Sequence, residues 1–242
     1  MRLGGIIFEG DTAFSHYTIE DMFYAGRPAR VLFSGAHDAA QSGVALDGND
    51  ELLFDYNQVF RSLVRGLQPK RILVLGGGAF TLPTALAHEF PDMDITVVEL
   101  DEALIGIAER YFDFRPDPHT KVHIGDARRF IGTSAETFDV VIVDVFSHDE
   151  VPGSFLTAGA AQDLRRCLTK RGTVAVNIIA PSQGRRSGML YRLNENMQAN
   201  FRSVQVFPAK RALSPWSAQN HIVAASDSTT DFAPFVGYAP VW

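Results

Sequence analysis

The stretch Leu73-Val-Leu-Gly-Gly-Gly-Ala-Phe-Thr-Leu82 decides the fold of this chain. Its first residues are uniformly apolar, as in a strand that is buried on both faces of a parallel sheet, and three glycines then interrupt it. A helix predicted over residues 82–90 follows the glycines, so this turn lies at the carboxyl end of the strand. Ligands of open parallel sheets bind beyond that end. The stretch therefore predicts a strand, a ligand-binding turn and a helix.

The alternation of strands and helices continues downstream. Apolar strands are predicted at residues 71–76, 94–101, 121–126, 138–146 and 172–179, and helices at 82–90, 102–112, 127–133, 157–168 and 188–201. Strands that are apolar on both faces and separated by helices indicate a parallel sheet covered on both sides, an α/β fold. Two last strands, at 203–209 and 220–226, are joined by a connection too short for a crossover helix. They are therefore predicted to form an antiparallel hairpin at the edge of the sheet.

The sequence before this alternation has a different pattern. Residues 2–46 are short apolar runs separated by Gly, Pro and Asp, which favour small antiparallel strands. An amphipathic helix follows, predicted to begin at Asn49 or Asp50 and to end before Pro69. We therefore predict a small β-strand domain over residues 1–48 and an α/β domain over residues 49–242.

The composition excludes several classes of function. The chain has 242 residues, of which 46% are hydrophobic and 21% charged, so it can bury a sizeable core. A formal net charge of -6 argues against binding of nucleic acid, and it slightly favours a cationic small molecule as partner. No apolar run approaches the roughly 18 residues of a membrane helix, and Cys167 has no second cysteine to pair with, which indicates a reducing compartment. A cytoplasmic protein that does not enter a membrane is predicted.

The glycine turn limits the choice of ligand. Gly76, Gly77 and Gly78 let the backbone approach a ligand closely, and the following helix can offer free amides there. A dinucleotide-binding turn has the pattern G-x-G-x-x-G, but its third position here is Thr81. The sequence therefore disfavours NAD.

Acids end three successive strands of the predicted sheet. Glu99 can accept the hydroxyls of a ribose, and Asp126 can accept from an adenine amino group. Each of these acids can also be a solvated residue at a strand end, but three in succession favour an adenosyl ligand. Asp144 either caps the following loop or serves a second substrate as general base or amine anchor.

The order and spacing of these motifs resemble a known family. The runs LVLGGG, VVELDEALIGIAERYF, KVHIGDARRF and FDVVIVD, with the upstream SHYTIEDM and QSGVALDGNDELLFDYNQVF, resemble the polyamine aminopropyltransferases, the spermidine synthase family, in its spermidine synthase-like branch. The resemblance implies a Rossmann-like sheet of the S-adenosylmethionine methyltransferase type. It also implies decarboxylated S-adenosylmethionine as co-substrate, an amine such as putrescine as acceptor, release of methylthioadenosine, and a homodimer.

Individual residues take roles from this resemblance. It implies that Glu99 holds the ribose, that Asp126 and the adjoining Ala127 hold the adenine, and that Asp144 is the catalytic aspartate. Gln41 matches a glutamine that lies close to the nucleoside in the family. The three glycines of the turn complete the predicted cofactor-binding set.

The departures from the family pattern concern the amine of the donor or the acceptor. Ala79 stands where the family has an aspartate that holds the donor's amine, and Ser147 replaces a second aspartate, with Asp149 displaced further along. Phe54 and Trp216 match two tyrosines of the family. We predict that Phe54, Asp149 and Trp216 bind the acceptor, which need not be putrescine.

Two other functions remain open from the sequence. Loss of the aspartate at position 79 keeps open a methyltransferase that uses intact S-adenosylmethionine, and a non-catalytic relative would retain the adenosyl pocket without transfer. No metal site is predicted, because the consecutive residues His148, Asp149 and Glu150 cannot readily converge on one ion. Tyr17 could reach over the cleft, although packing or exposure is favoured for it.

Overall fold

An antiparallel sheet precedes the first helix. The computed structural model describes residues 4–35, 39–48, 51–146, 151–210 and 214–241. Within these ranges, the strands of this sheet are β1 (Gly5–Asp11), β2 (His16–Tyr24), β3 (Arg27–Ser34) and β4 (Ala39–Ala45), and they pair in chain order. The predicted small antiparallel strands are confirmed. The division into two domains at residue 48 stays a prediction.

Helix α1 (Asp55–Leu67) joins this sheet to the rest of the chain. Its predicted end before Pro69 is confirmed. Its predicted start is wrong, because the helix begins after Phe54, whose backbone is extended, and Asn49 and Asp50 lie outside the described residues. Phe54 is buried against the antiparallel sheet, whereas the apolar face of α1 packs on the central sheet. The backbone therefore stays extended between two separate hydrophobic clusters.

The central sheet is mostly parallel. Its strands in the described residues are β5 (Arg71–Leu75), β6 (Asp94–Glu99), β7 (Thr120–Ile124), β8 (Phe138–Val143), β9 (Leu168–Ala180), β10 (Ser203–Pro208) and β11 (Gln219–Ser226). Their order across the sheet is β10-β11-β9-β8-β5-β6-β7. Strand β11 runs antiparallel to both β9 and β10, and the other neighbouring pairs are parallel. The predicted α/β class with an antiparallel hairpin at its C-terminal edge is confirmed.

Helices cover both faces of this sheet. They are α2 (Thr81–Glu89), α3 (Ala103–Tyr111), α4 (Ala127–Thr133), α5 (Ala158–Arg166), α6 (Gly188–Gln198) and the short α7 (Ala233–Val236), with a 3₁₀ turn at Gly153–Phe155. Helices α4, α5 and α6 pack on one face, and α1, α2 and α3 contribute to the cluster on the other. None of the helices in the described ranges is long and apolar enough to cross a bilayer.

Strand β5 shows why the first apolar run forms the middle of the fold. Leu73 and Leu75 belong to one hydrophobic cluster, while Ile72 and Val74 belong to the other. Successive side chains of a strand point to opposite faces, and all four of these are at most 1% exposed. Both faces of β5 are buried, so each of its residues must be apolar, as the sequence analysis predicted.

The strand order reverses beside β5. The chain passes from β5 to β6 and β7 on one side, and then crosses to β8 and β9 on the other. The loops that leave β5 and β8 diverge at this point, which opens a crevice at their carboxyl ends. Gly76 lies at this crevice with φ of +93°, and a Cβ atom there would lie 2.3 Å from the carbonyl oxygen of Asp144. Glycine is required here because the two backbones pass so closely.

Candidate active site

A cavity of about 750 Å³ lies at the carboxyl ends of the parallel strands. Glu99 and Asp126 line it from one side of β5, and Asp144 and Asn177 line it from the other. Residues of the antiparallel sheet, such as Tyr24, form another wall. The volume falls in the range of small-molecule sites. The structure thus brings three acids from successive strand ends to one cavity.

The backbone amides of the glycine turn are already hydrogen-bonded. The amides of Gly77 and Gly78 donate to Oε2 of Glu99 at 2.7 and 3.1 Å. The amide of Ala79 donates to Oγ of Ser42 at 3.0 Å. These three amides of the turn are therefore occupied by side chains of β6 and β4. The free amides expected at the start of the following helix stay a prediction. Gly76, Gly77 and Gly78 line the cavity, so the backbone of the turn can lie directly against a ligand.

Glu99 holds the turn in place as well as lining the cavity. It is only 7% exposed, and its Oε1 accepts from the amide of Asp101 at 2.9 Å. A carboxylate has about four acceptor sites. With three backbone donors in place, Glu99 can accept one ribose hydroxyl while the turn stays intact. Accepting both hydroxyls, as the sequence predicted, requires one backbone amide to be released.

Asp126 is the N-cap of helix α4. Its Oδ1 accepts from the amide of Arg129 at 2.6 Å, which is the usual hydrogen bond of an aspartate at this position. Asp126 and the neighbouring Ala127 both line the cavity. The adenine contact predicted for Asp126 would use its other oxygen and stays a prediction.

Gln41 reaches the cavity from strand β4. Its Nε2 donates to Oγ of Ser34 at 2.9 Å, which fixes the side chain against the neighbouring strand. Tyr17 of β2 also lines the cavity and is 7% exposed, although packing or exposure was favoured for it. Burial and the nearby charge of Asp101 raise the pKa of the Tyr17 hydroxyl, which therefore stays protonated. Asp101 also accepts from Oγ1 of Thr12 at 2.5 Å.

Asp144 follows β8 and is held by two side chains. Its Oδ1 accepts from Nδ2 of Asn177 at 2.9 Å, and the Tyr56 hydroxyl hydrogen-bonds to the same carboxylate. Burial raises the pKa of Asp144 to about 6, although both hydrogen bonds act to lower it. Such a carboxylate is ionised at neutral pH and is a stronger base than a solvated aspartate. It can therefore accept a proton from a substrate.

The side-chain amide of Asn220 orients the side-chain amide of Asn177. Nδ2 of Asn220 donates to Oδ1 of Asn177 at 3.0 Å. Because that oxygen accepts here, the Nδ2 atom of Asn177 is left facing Asp144. Asn177 lies on β9 and Asn220 on the adjacent β11, so a line of three hydrogen-bonded side chains crosses the sheet to the end of β8.

Tyr56 supplies a hydroxyl group where the sequence predicted only Phe54. Phe54 lines the cavity, but its ring carries no polar atom. Burial raises the pKa of the Tyr56 hydroxyl well above its usual value, so this group remains protonated beside Asp144. The rings of Tyr56 and Phe54 stack at 5.8 Å, and Phe54 meets Tyr24 edge-on at 5.4 Å. We call Tyr24, Phe54 and Tyr56 the aromatic wall.

The side chain of Ala79 lies in an apolar environment. It is fully buried in a hydrophobic cluster with Ile19, Leu32 and Leu104. A carboxylate at this position would lie among aliphatic groups, where its charge would be poorly solvated. The packing therefore agrees with the alanine found at this departure from the family pattern.

One predicted acceptor residue is not brought to the cavity, and another lies outside the described residues. Trp216 is 67% exposed and does not line it; its ring lies 2.9 Å from the position that a Cβ atom on Gly184 would take. Asp149 lies outside the described residues, as do Ser147, His148 and Glu150. The described ranges contain no group of three or more His, Cys, Asp or Glu side chains that could hold a metal ion.

Several residues of the site were missed from the sequence. They are Tyr24, Ser42, Tyr56, Asn177 and Asn220. Asn177 carried a signal, because it is an amide inside the otherwise apolar strand segment GTVAVNII. A fully buried amide in such a strand needs a polar partner, which here is Asp144.

Comparison with known proteins identifies the family. The family model described as "Spermine/spermidine synthase domain" matches residues 54–212. The chain belongs to the spermine/spermidine synthase family. The matched region of this family member includes the glycine turn, Glu99, Asp126 and Asp144. The family resemblance of the sequence is therefore confirmed.

Relatives of this spermine/spermidine synthase family member have more than one activity. The chain is 32% identical over 140 residues to the polyamine aminopropyltransferase of Vibrio vulnificus, which covers 57% of this chain and 44% of that protein. It is 30% identical over 165 residues to the eEF1A lysine and N-terminal methyltransferase of Bos taurus, which covers 64% of this chain and 22% of that protein. The chain thus matches less than half the length of these two relatives, both of which are named as transferases.

A solved structure shares the fold. It is described as a probable spermidine synthase from Corynebacterium glutamicum, with a TM-score of 0.79 and 24% sequence identity. The superposition covers 96% of this chain and 83% of that one. The antiparallel sheet and the mostly parallel sheet are therefore both part of a known spermidine synthase-like architecture.

Proposed function

We propose that this protein is an aminopropyltransferase that moves an aminopropyl group from decarboxylated S-adenosylmethionine to an amine. One observation carries the proposal: Asp144 is a partly buried carboxylate at the cavity, with a pKa of about 6, held by Asn177 and Tyr56. The name of the Vibrio vulnificus relative supports this reaction. A homodimer and a cytoplasmic location remain predictions.

The donor is proposed to bind on the β5–β6–β7 side of the cavity. Glu99 would accept from the ribose, and Asp126 with Ala127 would contact the adenine. Gln41 and the glycine turn would lie against the nucleoside. These residues line the same cavity as Asp144, which supports a donor whose reactive methylene lies near the β5–β8 crevice.

The proposed transfer is a direct displacement. The nitrogen of the acceptor attacks the methylene bonded to the sulfonium, so a C–N bond forms while the C–S bond breaks and its electron pair returns to sulfur. Methylthioadenosine leaves. The proton that the amine must lose passes to Asp144, and the site contributes mainly orientation and this proton transfer.

A methyltransferase is the second candidate. Two observations favour it: the Bos taurus relative is named as a methyltransferase, and Ala79 puts a buried methyl group where the family's aspartate would hold the donor's amine. Intact S-adenosylmethionine would then be the donor and adenosylhomocysteine the product. A non-catalytic adenosyl-binding protein is the remaining alternative.

One experiment separates these functions. The purified protein is incubated with decarboxylated or intact S-adenosylmethionine and a panel of amines, and both nucleoside products are quantified by mass spectrometry. Methylthioadenosine from the decarboxylated donor, absent with Asp144→Asn, supports the proposal. Adenosylhomocysteine from the intact donor would replace it with methyl transfer. Binding of methylthioadenosine without any turnover would support the non-catalytic alternative.

A further inference from the structure

We infer that Phe14 is a nucleoside-binding residue whose ring stacks on the adenine of the donor, and that Asp101 is the residue that positions it. The inference rests on the proposed function and deepens it, because the ligand is the adenosyl group of the same site. Phe14 precedes the region that the family model matches, which begins at residue 54. The sequence analysis did not single it out either.

Phe14 lies in the hairpin that joins β1 to β2, and we call residues 12–15 the hairpin tip. Its side chain is 56% exposed and lines the cavity. An exposed aromatic ring that is covered by a ligand leaves water, which favours binding. The hairpin tip therefore offers an apolar surface to a ligand at this end of the cavity.

Thr12 holds the hairpin tip in a defined turn. Its Oγ1 accepts from the backbone amides of Phe14 and Ser15, each at 3.1 Å. Its own backbone amide donates to the carbonyl oxygen of Ser15 at 2.8 Å. Hydroxyl groups that bond to nearby backbone amides stabilise such turns. The ring is therefore carried on a preorganised backbone, so that less entropy is lost when a ligand contacts it.

Asp101 anchors the hairpin on both sides of Phe14. Its Oδ2 accepts from Oγ1 of Thr12 at 2.5 Å, and the Tyr17 hydroxyl hydrogen-bonds to the same carboxylate. Thr12 follows β1 and Tyr17 lies in β2, so the two contacts flank the tip. Asp101 is buried, and hydrogen bonds to an ionised carboxylate are among the stronger ones in proteins.

This anchor places the hairpin tip beside the proposed ribose residue. Asp101 lies two residues after Glu99, and its backbone amide donates to Oε1 of Glu99 at 2.9 Å. Leu100, between these two acids, is exposed and also lines the cavity. Two exposed apolar side chains, those of Phe14 and Leu100, therefore line the cavity near the end of β6.

Among the parts of the donor, the adenine fits this apolar surface best. It is flat and aromatic, and bases commonly stack on aromatic side chains. The ribose has hydroxyls, which Glu99 is proposed to accept, and the sulfonium is proposed to lie near Asp144, on the other side of β5. Asp126, proposed for the polar edge of the adenine, follows β7, which neighbours β6. The ring of Phe14 would then cover a face of the same base.

The first test measures the Kd of methylthioadenosine by calorimetry. Phe14→Ala should raise it by about tenfold or more, because the stacked ring is lost. Phe14→Tyr, which keeps the ring, should bind almost as tightly as the unchanged protein. Phe23 lies in the same sheet, is 51% exposed and does not line the cavity, so Phe23→Ala is the matched control and should leave the Kd unchanged. An unchanged Kd in Phe14→Ala would overturn the inference.

A spectroscopic signal tests which part of the ligand the ring touches. In Phe14→Trp, the indole takes the place of the ring, and stacking on adenine should quench its emission during titration with methylthioadenosine. The unchanged protein has two tryptophans elsewhere and provides the background. Quenching no greater than this background would place the ring away from the base and contradict the stacking.

A double-mutant cycle tests the positioning. Thr12→Val keeps the shape of the side chain but removes the hydroxyl that donates to Asp101. It is cleaner than a change of Asp101, which also accepts from the amide of Ala103. Thr12→Val should raise the Kd of methylthioadenosine severalfold in the unchanged protein, and much less when combined with Phe14→Ala, because it acts through the ring. Equal effects in the two backgrounds would overturn the positioning.

The outcomes separate this inference from the proposed function. Binding that depends on Phe14 but without turnover would contradict aminopropyl transfer and uphold the inference. Turnover with a Kd that is independent of Phe14 would uphold transfer and overturn the inference. A change of elution volume in size-exclusion chromatography of Phe14→Ala, with an unchanged Kd, would assign the ring to a contact between copies of the chain instead. Failure of the unchanged protein to bind methylthioadenosine would overturn both.

Discussion

Asn177 and Asp144 are joined by a hydrogen bond of 2.9 Å between Nδ2 and Oδ1, at the carboxyl ends of adjacent parallel strands. Asn177 is fully buried, and its own amide oxygen is held by Asn220. Burial raises the pKa of Asp144 to about 6, while the bond from Asn177 acts to lower it. The basicity of the proposed proton acceptor is therefore the result of two opposing effects, each of which a variant can alter.

The pH profile of transfer should have an acidic limb near pH 6. Asp144 must be ionised to accept a proton, so kcat/KM should fall as the pH falls through about 6. Asn177→Ala removes a donor that favours the ionised form, so the limb should move to higher pH. Asn200→Ala, on the C-terminal side of α6, is the control and should leave it in place. A limb that does not move in Asn177→Ala would contradict the role of this hydrogen bond.

Asp144→Asn should lower the rate of transfer by about 10²–10⁴-fold, because an amide cannot accept the proton. Binding of methylthioadenosine, measured by calorimetry, should change little, since the nucleoside residues lie on the other side of β5. The exposed Asp92 provides a matched control, and Asp92→Asn should keep full activity. Undiminished turnover in Asp144→Asn would remove Asp144 from the mechanism.

The same variant should make the folded protein more stable at pH 8. A carboxyl group with a pKa near 3.8 in the unfolded chain and about 6 in the folded one binds its proton more tightly when folded. Its contribution to stability is complete below pH 3.8 and is lost as the pH rises through 6, on the order of 3 kcal/mol. Asparagine does not ionise, so Asp144→Asn should unfold at higher urea concentration at pH 8 than the unchanged protein does. The difference should shrink at pH 4, and an unchanged midpoint at pH 8 would argue against the raised pKa.

Glu99→Gln should disturb both the glycine turn and binding of the nucleoside. The amide nitrogen of glutamine donates, so it cannot replace an oxygen that now accepts from Gly77, Gly78 or Asp101. A buried backbone amide left without a partner costs about 1–3 kcal/mol. The exposed Glu102 is the control, and Glu102→Gln should leave the urea midpoint and the Kd for methylthioadenosine unchanged. Equal behaviour of the two variants would contradict the proposed site.

Two glycine substitutions should have opposite effects. In Gly76→Ala the new methyl group would lie 2.3 Å from the carbonyl oxygen of Asp144, at a backbone φ of +93°, so the crevice must distort. Loss of stability and of methylthioadenosine binding is expected. A Cβ atom on Gly106 meets no atom within 4 Å, and this residue lies inside helix α3. Gly106→Ala should therefore stabilise the protein by about 0.5–1 kcal/mol in urea unfolding.

The sequence predicted the elements whose pattern is local. The apolar strands of the central sheet and the hairpin at its edge agree with the structure, since a strand buried on both faces must be apolar throughout. The predicted start of α1 was too early because Leu53 and Phe54 pack in a different hydrophobic cluster from the apolar face of the helix. The spacing of apolar residues along a sequence does not indicate which hydrophobic cluster each of them packs in.

The site was only partly predictable for a similar reason. The strand-end acids were visible in the sequence because parallel strands bring their carboxyl ends together. The occupancy of the turn amides by Glu99 and Ser42 was not visible, because it depends on side-chain direction. Tyr56 was missed as a partner of Asp144 because the direction of its side chain depends on where the first turn of α1 begins. Trp216 was expected at the cavity, yet it stays on the surface beside Gly184.

The walls of the cavity come from opposite ends of the chain. Tyr24 lies in the second strand and Asn220 in the last one, so the space between them exists only after the most distant segments have come together. Contacts between such distant segments are slow to form. A molecule that touches both walls would bind only the fully folded chain and would raise its melting temperature by mass action. Thermal shift with a ligand that reaches both walls therefore reports on the native tertiary arrangement of these distant segments.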